Sequence, residues 1–374
     1  GVPSKSISPS QVIVSLDGSI TTALAFAGEI DLGAGVVETH GDRYRFLTRY
    51  SAAGEFAWSS HVATPTADSG YNSEIQSLVM SVDCAGSVIV AGGFTGKLDI
   101  QGKSLTAAPG KVLSGDVIYA ADDMFLVKFG PDGQRRWARR FGDDREQRFH
   151  TVGVQGDGTI IVGGASNGTL ELDGSSNITL DGEPMAGEIY AGLLAAFDPD
   201  GVLVWNRNYT STNDVALIGL AIAGDDRIVI HGHAGGDTDF GGGPVALTDD
   251  PNFIAQLEPD GAHGWSSRFF DKQHQPEGLA PDAVGGVVFS GSFGPNGFVA
   301  RYDSAGQLAW NHDLIRDDNT APGSFSIGPL VVDNEVMIGG GLPPGSVDFG
   351  GGALVTPPDQ LRPYLARYDL AGAH

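Results

Sequence analysis

The stretch that decides the fold is "FVARYDSAGQLAW", residues 298–310, which recurs along the chain with variations. Alternating apolar residues open it, a short turn follows, and a second segment ends on tryptophan, so each copy predicts a β-hairpin. A glycine falls eight residues after the first apolar residue in all six copies, and a tryptophan falls twelve after it in five. The copies occupy residues 46–58, 125–137, 193–205, 253–265, 298–310 and 364–372.

A second hairpin lies between these copies and also occurs six times, for example as "LVMSVDCAGSVIVAGGFTG" (78–96). It reads as a strand, an Asp/Gly turn, a strand and then small residues, which indicate close backbone packing. Two hairpins make a four-stranded unit of the size of a β-propeller blade. Six units predict an all-β, six-bladed β-propeller of four-stranded antiparallel blades, forming a single domain over residues 1–374.

The last copy, "YLARYDLAG" (364–372), stops before the position where its tryptophan would stand. The hairpins supply twenty-three strands, one short of six complete blades. We therefore expect roughly residues 2–8 to form the outermost strand of the last blade, beside Tyr364–Asp369, so that the N-terminal strand completes the C-terminal blade and closes the ring. The tryptophans themselves are interpreted as packing residues between neighbouring blades.

The repeat resembles the bacterial secreted β-propeller repeat family of the SBBP type. The similarity runs from Asp123 to Trp137 and from Val82 to Ile100, and the repeat as a whole covers nearly the entire chain. The family name implies seven blades, whereas this sequence holds six repeats. The resemblance implies an extracellular binding scaffold or adhesive module, and therefore a secreted, cell-surface or periplasmic location.

The chain is strongly acidic, with a formal net charge of −24. Such a surface disfavours nucleic acid and anionic membranes as partners, and no apolar run reaches the ~20 residues of a membrane-spanning helix. The single cysteine, Cys84, excludes an intrachain disulfide. No nucleic-acid partner and no membrane insertion are therefore expected.

Two patterns contain metal-ligating residue types. His231 and His233 stand two apart on a predicted strand, so they face one side and could ligate a transition metal. A carboxylate also recurs after the small-residue patch, where turn oxygens suit Ca²⁺. The alternatives are structural histidines and carboxylates that fix a loop by accepting backbone N–H bonds. The recurrent carboxylates are Asp31, Asp99, Glu171, Asp239 and Asp348.

Residues 133–148 hold six of the sixteen arginines. Charges on an outer strand deter edge-to-edge pairing. The alternative is a docking point for an anionic glycan, or self-association with an acidic patch of another copy. The arginines of the predicted outer strand are Arg135, Arg136, Arg139 and Arg140.

No catalytic, phosphate-binding or dinucleotide motif stands out, so no catalytic residue and no cofactor are assigned, and an enzyme is not the favoured hypothesis. The favoured function is a binding or interaction scaffold for a glycan or a protein partner. We expect the recognition rim to be formed by the variable loops at 102–123, 174–192 and 241–252. The short fifth repeat should leave a gap in that rim. The alternatives are a hydrolase, lyase or metalloenzyme at the channel mouth, and a structural subunit of a surface assembly.

Overall fold

The structure is a computed structural model, and it describes most of the repeat. The described residues are 6–33, 35–39, 44–65, 74–108, 112–114, 117–118, 122–143, 145–167, 169–172, 177–179, 190–247, 251–269, 273–294, 296–315, 328–332, 334–342, 344–357 and 362–374. Within these ranges every regular element is a β-strand. No helix among them is long and apolar enough to cross a membrane.

The described strands form six antiparallel blades, and the prediction of an all-β, six-bladed β-propeller is confirmed. The chain divides into two compact units, Gly1–Asn208 and Tyr209–His374. In the first unit, blade 1 comprises Ser6–Val14, Ile20–Ala27, Tyr44–Tyr50 and Phe56–Pro65; blade 2 comprises Glu74–Val82, Val88–Thr95, Asp123–Phe129 and Arg135–Phe141; blade 3 comprises Gln147–Val154, Ile160–Ser166, Ala191–Phe197 and Leu203–Tyr209.

The second unit repeats this order. Blade 4 comprises Val215–Ile222, Ile228–Ala234, Asn252–Leu257 and His263–Arg268; blade 5 comprises His274–Pro281, Val287–Phe293, Asn296–Tyr302 and Leu308–Leu314; blade 6 comprises Gly328–Val332, Glu335–Leu342 and Arg362–Asp369. Each of blades 1 to 5 has four strands in chain order, and three strands of blade 6 lie within the described residues.

Small side hairpins follow the second strand in every blade except blade 5. They are Glu29–Asp31 with Val36–Glu38, Lys97–Ile100 with Lys103–Thr106, Thr169–Glu171 with Asn177–Thr179, Thr238–Asp239 with Pro244–Val245, and Gly345–Asp348 with Ala353–Thr356; blade 2 adds Val112–Ser114 with Val117–Ile118. In blade 5, Phe293 pairs directly with Asn296, as the short fifth repeat predicted.

The N-terminal strand does not belong to the last blade, and that prediction was wrong. Ser6–Val14 is the first strand of blade 1 and pairs with Ile20–Ala27, with Ser6 opposite Ala27. Residues 2–5 lie outside the described part. The physical reason is that Ser6–Val14 runs directly into the turn that Ser15 and Ser19 close, so it pairs as the first arm of that hairpin.

The recurrent glycine in the second strand of a blade lies opposite a β-bulge in the first strand. In blades 2 to 5 the first strand carries a bulge, for example between Phe149 and Thr151. A bulge brings the carbonyl before it close to the neighbouring strand. A β-carbon at Gly164 would overlap the carbonyl oxygen of Arg148, and the same holds for Gly232 with Ala216 and for Gly291 with Gln275; at Gly92 the overlapping carbonyl is that of Ser77, directly after the bulge. The close packing predicted from small residues is therefore within a blade.

Four of the five tryptophans join neighbouring blades, which confirms for these four the interpretation as packing residues between blades. In four blades the indole Nε1–H donates to a turn carbonyl of the next blade: Trp58 to Pro131 at 2.8 Å, Trp137 to Pro199 at 3.0 Å, Trp265 to Ser304 at 3.2 Å and Trp310 to Leu370 at 3.0 Å. The ring lies over the repeat glycine of that turn; a β-carbon at Gly133 would come within 2.7 Å of Trp58. These glycines also have positive φ, for example 75° at Gly133, so both geometry and space require glycine.

Each blade therefore has two different ends. At the turn end, the tight Asp/Gly turns and the tryptophans lock one blade to the next. At the loop end lie the connections between the second and third strands, and those between one blade and its successor. The backbone turns at the turn end repeat in every blade, whereas the connections at the loop end differ in length from blade to blade.

Candidate binding site at the loop end of blades 2 and 3

The two histidines singled out in the sequence share a strand but differ in burial. Ile228–Ala234 pairs with Asn252–Leu257 without a bulge, so His231 and His233 project from one face. His231 is fully buried and meets the ring of Phe289 edge-on, at 5.6 Å between centroids, whereas His233 is exposed. Neither ring nitrogen of His231 has a hydrogen-bond partner, and burial lowers its pKa to about 4. His231 is therefore a neutral imidazole at neutral pH.

Three of the recurrent carboxylates cap their own side hairpins. In each, Oδ1 accepts hydrogen bonds from the backbone N–H groups two and four residues later, at 2.7 to 3.1 Å; these are Asp31, Asp239 and Asp348. Asp99 Oδ1 accepts one such bond, from Gly102 at 3.0 Å. The side chain of Glu171 lies outside the described part. These bonds have the geometry expected of carboxylates that fix a loop by accepting backbone N–H bonds.

Among the residues that the structure describes, no group of three or more His, Cys, Asp or Glu side chains is placed to hold a metal ion. The Ca²⁺ or transition-metal hypothesis stays a prediction.

The arginines of the outer strand of blade 2 have individual partners. Arg135 Nη2 donates to the Gln101 carbonyl at 3.5 Å, and Arg139 Nη2 to the Asp200 carbonyl of blade 3 at 3.1 Å. Arg136 lies at the turn end, where it pairs with Asp132 at 2.9 Å on the surface. Self-association through these arginines stays a prediction.

Charged side chains collect at the loop end where blade 2 meets blade 3. Arg140, near the end of the outer strand of blade 2, pairs through Nε with Asp123 Oδ2. Arg148, in the first strand of blade 3, pairs with Asp122 and, at 2.7 Å, with Glu146 Oε1. We call this group the charged junction; its members are Asp122, Asp123, Arg140, Asp143, Arg145, Glu146, Gln147 and Arg148.

Gln147 holds the centre of the charged junction in place. Its side chain is buried, and Nε2 donates to Asp143 Oδ1 at 2.6 Å and to the Asn167 carbonyl at 2.8 Å. Its Oε1 accepts the backbone N–H of Asp143 at 3.3 Å. Both amide hydrogens of Gln147 are therefore engaged, and only its oxygen is available to a further donor.

Asp123 is the member of the charged junction with an unmet hydrogen-bonding requirement. It is fully buried; Oδ2 accepts from Arg140 and, at 2.9 Å, from the backbone N–H of Ala108, while Oδ1 has no partner. Burial raises the pKa of this carboxyl group to about 6, although the neighbouring Arg140 acts in the opposite direction. A buried carboxyl group whose pKa is strongly shifted, and which stands beside a specific cation, is a physical marker of functional sites.

The orphan oxygen of Asp123 faces another acceptor across Gly142. A β-carbon at Gly142 would lie 2.5 Å from Asp123 Oδ1 and 2.8 Å from Gln147 Oε1, so both oxygens border the same small space. Gly142 has a φ of 142°, a conformation that favours glycine. Gln147 Oε1 already accepts the N–H of Asp143, so Asp123 Oδ1 is the oxygen of this pair that lacks a donor.

The arginines of the charged junction remain partly accessible. The side chains of Arg140 and Arg148 are 30% and 38% exposed. Guanidinium groups bind carboxylate and sulfate oxygens through paired N–H donors. The charged junction thus combines the accessible N–H donors of two arginines with the buried, titratable carboxyl group of Asp123.

Sequence reasoning found the arginines of this site but missed their partners. The arginine-rich stretch ends at Arg148, but Asp123 stands before it in the chain, beyond a whole hairpin. The available signal was the pair Asp122–Asp123 at the start of the third strand, where an apolar residue would fit a buried strand better.

No family model and no curated protein matches the chain. Solved structures are similar in fold. The Dos1 propeller aligns with a TM-score of 0.41 and 12% identity over 90% of this chain and 70% of its own. Prolyl oligopeptidase B from Galerina marginata aligns with a TM-score of 0.47 and 9% identity over 98% of this chain and 41% of its own. A puromycin hydrolase aligns with a TM-score of 0.40 and 13% identity over 98% and 52%. This chain therefore spans about half the length of the two enzymes, and no property of the aligned proteins is carried over to it.

Proposed function

We propose that the protein is an extracellular binding scaffold whose charged junction takes an anionic glycan, one that carries sulfate or carboxylate groups. The supporting observation is the pair of partly exposed guanidinium groups, Arg140 and Arg148, held by buried or half-buried carboxylates. Such groups are oriented in advance, so that little side-chain entropy is lost when a planar anion binds.

The location in the fold supports the same proposal. The charged junction lies at the loop end of blades 2 and 3, whereas the turn end of each blade is occupied by interlocking turns. In β-rich scaffolds, binding residues collect on the connections that a rigid core positions. The extracellular location rests on the resemblance to secreted propeller repeats.

The acidity of the chain limits which anions can bind. A net charge of −24 repels polyanions at long range, and repulsion of this kind is screened by salt over about 8 Å at physiological ionic strength. We therefore expect selectivity for short glycans with one or two charges that reach Arg148 locally, and weak binding of long polyanions.

A glycan array tests this proposal. Labelled protein is applied at pH 5 and pH 7.5 to neutral, carboxylated and sulfated oligosaccharides, and we expect binding confined to the charged classes. Arg148→Gln should lower the affinity at least about tenfold, because a charge-assisted contact contributes roughly 1.5–3 kcal/mol. Arg136→Gln, in the same stretch but at the turn end, is the matched control and should bind like wild type. Equal binding of neutral and charged glycans, or equal loss in both variants, would contradict the proposal.

A further inference from the structure

The charged junction carries more carboxylates than cations. Four acidic side chains, Asp122, Asp123, Asp143 and Glu146, stand among three arginines, and Arg140 and Arg148 each have a carboxylate partner. With all four ionised, an incoming anion must compete with carboxylates that already hold the guanidinium groups. A site built for anions therefore needs a way to release one arginine.

We propose that the charged junction is an acid-activated binding site, in which a proton taken up by Asp123 frees Arg140 to bind the sulfate or carboxylate group of a glycan. This rests on the proposed function and adds its regulation. The step is a single proton transfer from solvent to Asp123 Oδ1, with no other bond made or broken.

The hydrogen bonds around Asp123 favour this proton. Ionised Asp123 leaves Oδ1 buried without a donor, which costs free energy. A proton on Oδ1 turns this orphan acceptor into a donor, in the space beside Gly142 that Gln147 Oε1 also borders. Gln147 cannot provide that hydrogen, because its two N–H groups bind Asp143 Oδ1 and the Asn167 carbonyl. In the protonated junction, Oδ1 of Asp123 is therefore no longer a buried acceptor without a hydrogen, as it is in the ionised junction.

The consequence for Arg140 is electrostatic. A neutral carboxyl group keeps Oδ2 as an acceptor but no longer offers a full counter-charge to the guanidinium. Arg140 is 30% exposed, so its remaining donors can turn to a ligand anion without unfolding the strand. The charge of the junction then becomes balanced, and the repulsion of an anion falls.

The charged and titratable groups around Asp123 come from four elements. Asp122 lies directly before the third strand of blade 2, and Arg140 lies on the neighbouring outer strand. The connection to blade 3 and the first strand of that blade supply the rest, which are Asp143, Arg145, Glu146, Arg148 and, further along, His150. Because histidines elsewhere also gain charge in acid, the test needs a variant that isolates Asp123.

The experiment measures the affinity for a short sulfated oligosaccharide, whose charge does not change between pH 5 and pH 7.5. A carboxyl group that titrates near pH 6 is mostly protonated at pH 5 and about 3% protonated at pH 7.5, so wild type should bind about thirtyfold more tightly in acid. Asp123→Asn copies the protonated carboxyl group, with an N–H for Gln147. It should bind at pH 7.5 as wild type binds at pH 5. Asp132→Asn makes the same chemical change at the turn end and should keep the wild-type pH dependence.

A readout without ligand separates this inference from the proposed function. The ¹³C shift of the Asp123 carboxyl carbon, assigned by its loss in Asp123→Asn, should titrate with a midpoint near pH 6. A midpoint below about 4.5 would overturn the proton at Asp123 whether or not glycans bind. Tight sulfate binding that is equal at both pH values would overturn the activation and leave the proposed function standing. A midpoint near 6 without binding of any charged glycan would remove the proposed function and with it the activation.

Discussion

The junction of blades 2 and 3 and the junction of blades 4 and 5 bury ionisable groups with opposite properties. At the first, Asp123 is a buried acid whose pKa is raised to about 6. At the second, His231 is a buried base whose pKa is lowered to about 4 by the apolar side chains around it, among them Phe289. Burial penalises the charged form in both cases, and the sign of the group decides the direction.

The same contrast appears at the position that opens the first strand of a blade. In blade 3 this residue is Gln147, with all its partners polar. In blade 5 it is His274, whose ring stacks on Phe293 at 4.6 Å and whose Nε2 lies 3.0 Å from Asp313 Oδ1. One backbone position thus holds an amide network in one blade and an aromatic stack in the other. The fold fixes where a side chain lies and leaves its chemistry open.

The largest expected effect concerns what the two junctions share, the glycine opposite the bulge. Gly164→Ala in blade 3 and Gly232→Ala in blade 4 place a β-carbon onto the carbonyl oxygens of Arg148 and Ala216. Each should lower the free energy of unfolding by more than about 3 kcal/mol, because backbone must move to relieve the overlap. Urea denaturation measures it. The control is Gly224→Ala, which meets open space; a cost no greater than that of this control would show that the bulge relaxes freely.

The next effect separates the junctions by pH. The folded-state pKa of Asp123 is raised, so its contribution to stability is present below about pH 4 and is lost as pH rises through 6. The folded-state pKa of His231 is lowered, so its contribution is present above about pH 6.5 and is lost as pH falls toward 4. Each should amount to roughly 3 kcal/mol across its window.

Two variants should each remove one of these pH-dependent contributions to stability. In Asp123→Asn the loss of stability between pH 4 and pH 6 should disappear, and in His231→Phe the loss on acidification from pH 6.5 should disappear. Thermal unfolding across pH 4 to 8 provides the measurement. If both variants change the dependence of melting temperature on pH in the same direction, the two junctions do not have opposite pH dependences.

The fold was predictable because its determinants are local and repeated. The spacing from Gly133 to Trp137 encodes a turn with positive φ and an indole that reaches the next blade, and both constraints are visible in one stretch. The position of Ser6–Val14 was not, since a strand count shows that an edge is incomplete without showing which hairpin a terminal segment pairs with.

The site was predictable only in part. An arginine cluster is visible in sequence, but the partnership of Arg140 with Asp123 depends on the pairing of the third and outer strands of blade 2, and that of Gln147 with Asn167 depends on blade 3. For His231, strand periodicity gives the face and does not reveal that Phe289 of the next blade packs edge-on against it.

A smaller effect tests the ion pair of the charged junction. Arg140→Met removes the cation beside Asp123 and keeps much of the apolar stem. At pH 8 it should cost about 2 kcal/mol, because a buried carboxylate without its partner must take up a proton or remain unpaired. At pH 5, where the carboxyl group is already neutral, the cost should fall below about 1 kcal/mol. Arg367→Met, which breaks an exposed pair with Glu335, should cost little at either pH; equal costs for the two variants at pH 8 would remove the burial argument.

The smallest effect compares the side hairpins of blades 2 and 4. Asp239 accepts two backbone N–H bonds, from Gly241 and Gly243, whereas Asp99 accepts one, from Gly102. Asp239→Ala should therefore cost about 1 kcal/mol of stability and Asp99→Ala about half of that, since each exposed bond contributes roughly 0.5 kcal/mol or slightly more. Both costs should be the same in Ca²⁺ and in chelator, because backbone amides are the partners of these oxygens. A Ca²⁺-dependent gain in melting temperature that Asp239→Ala abolishes would instead place a cation at this turn and support the calcium hypothesis.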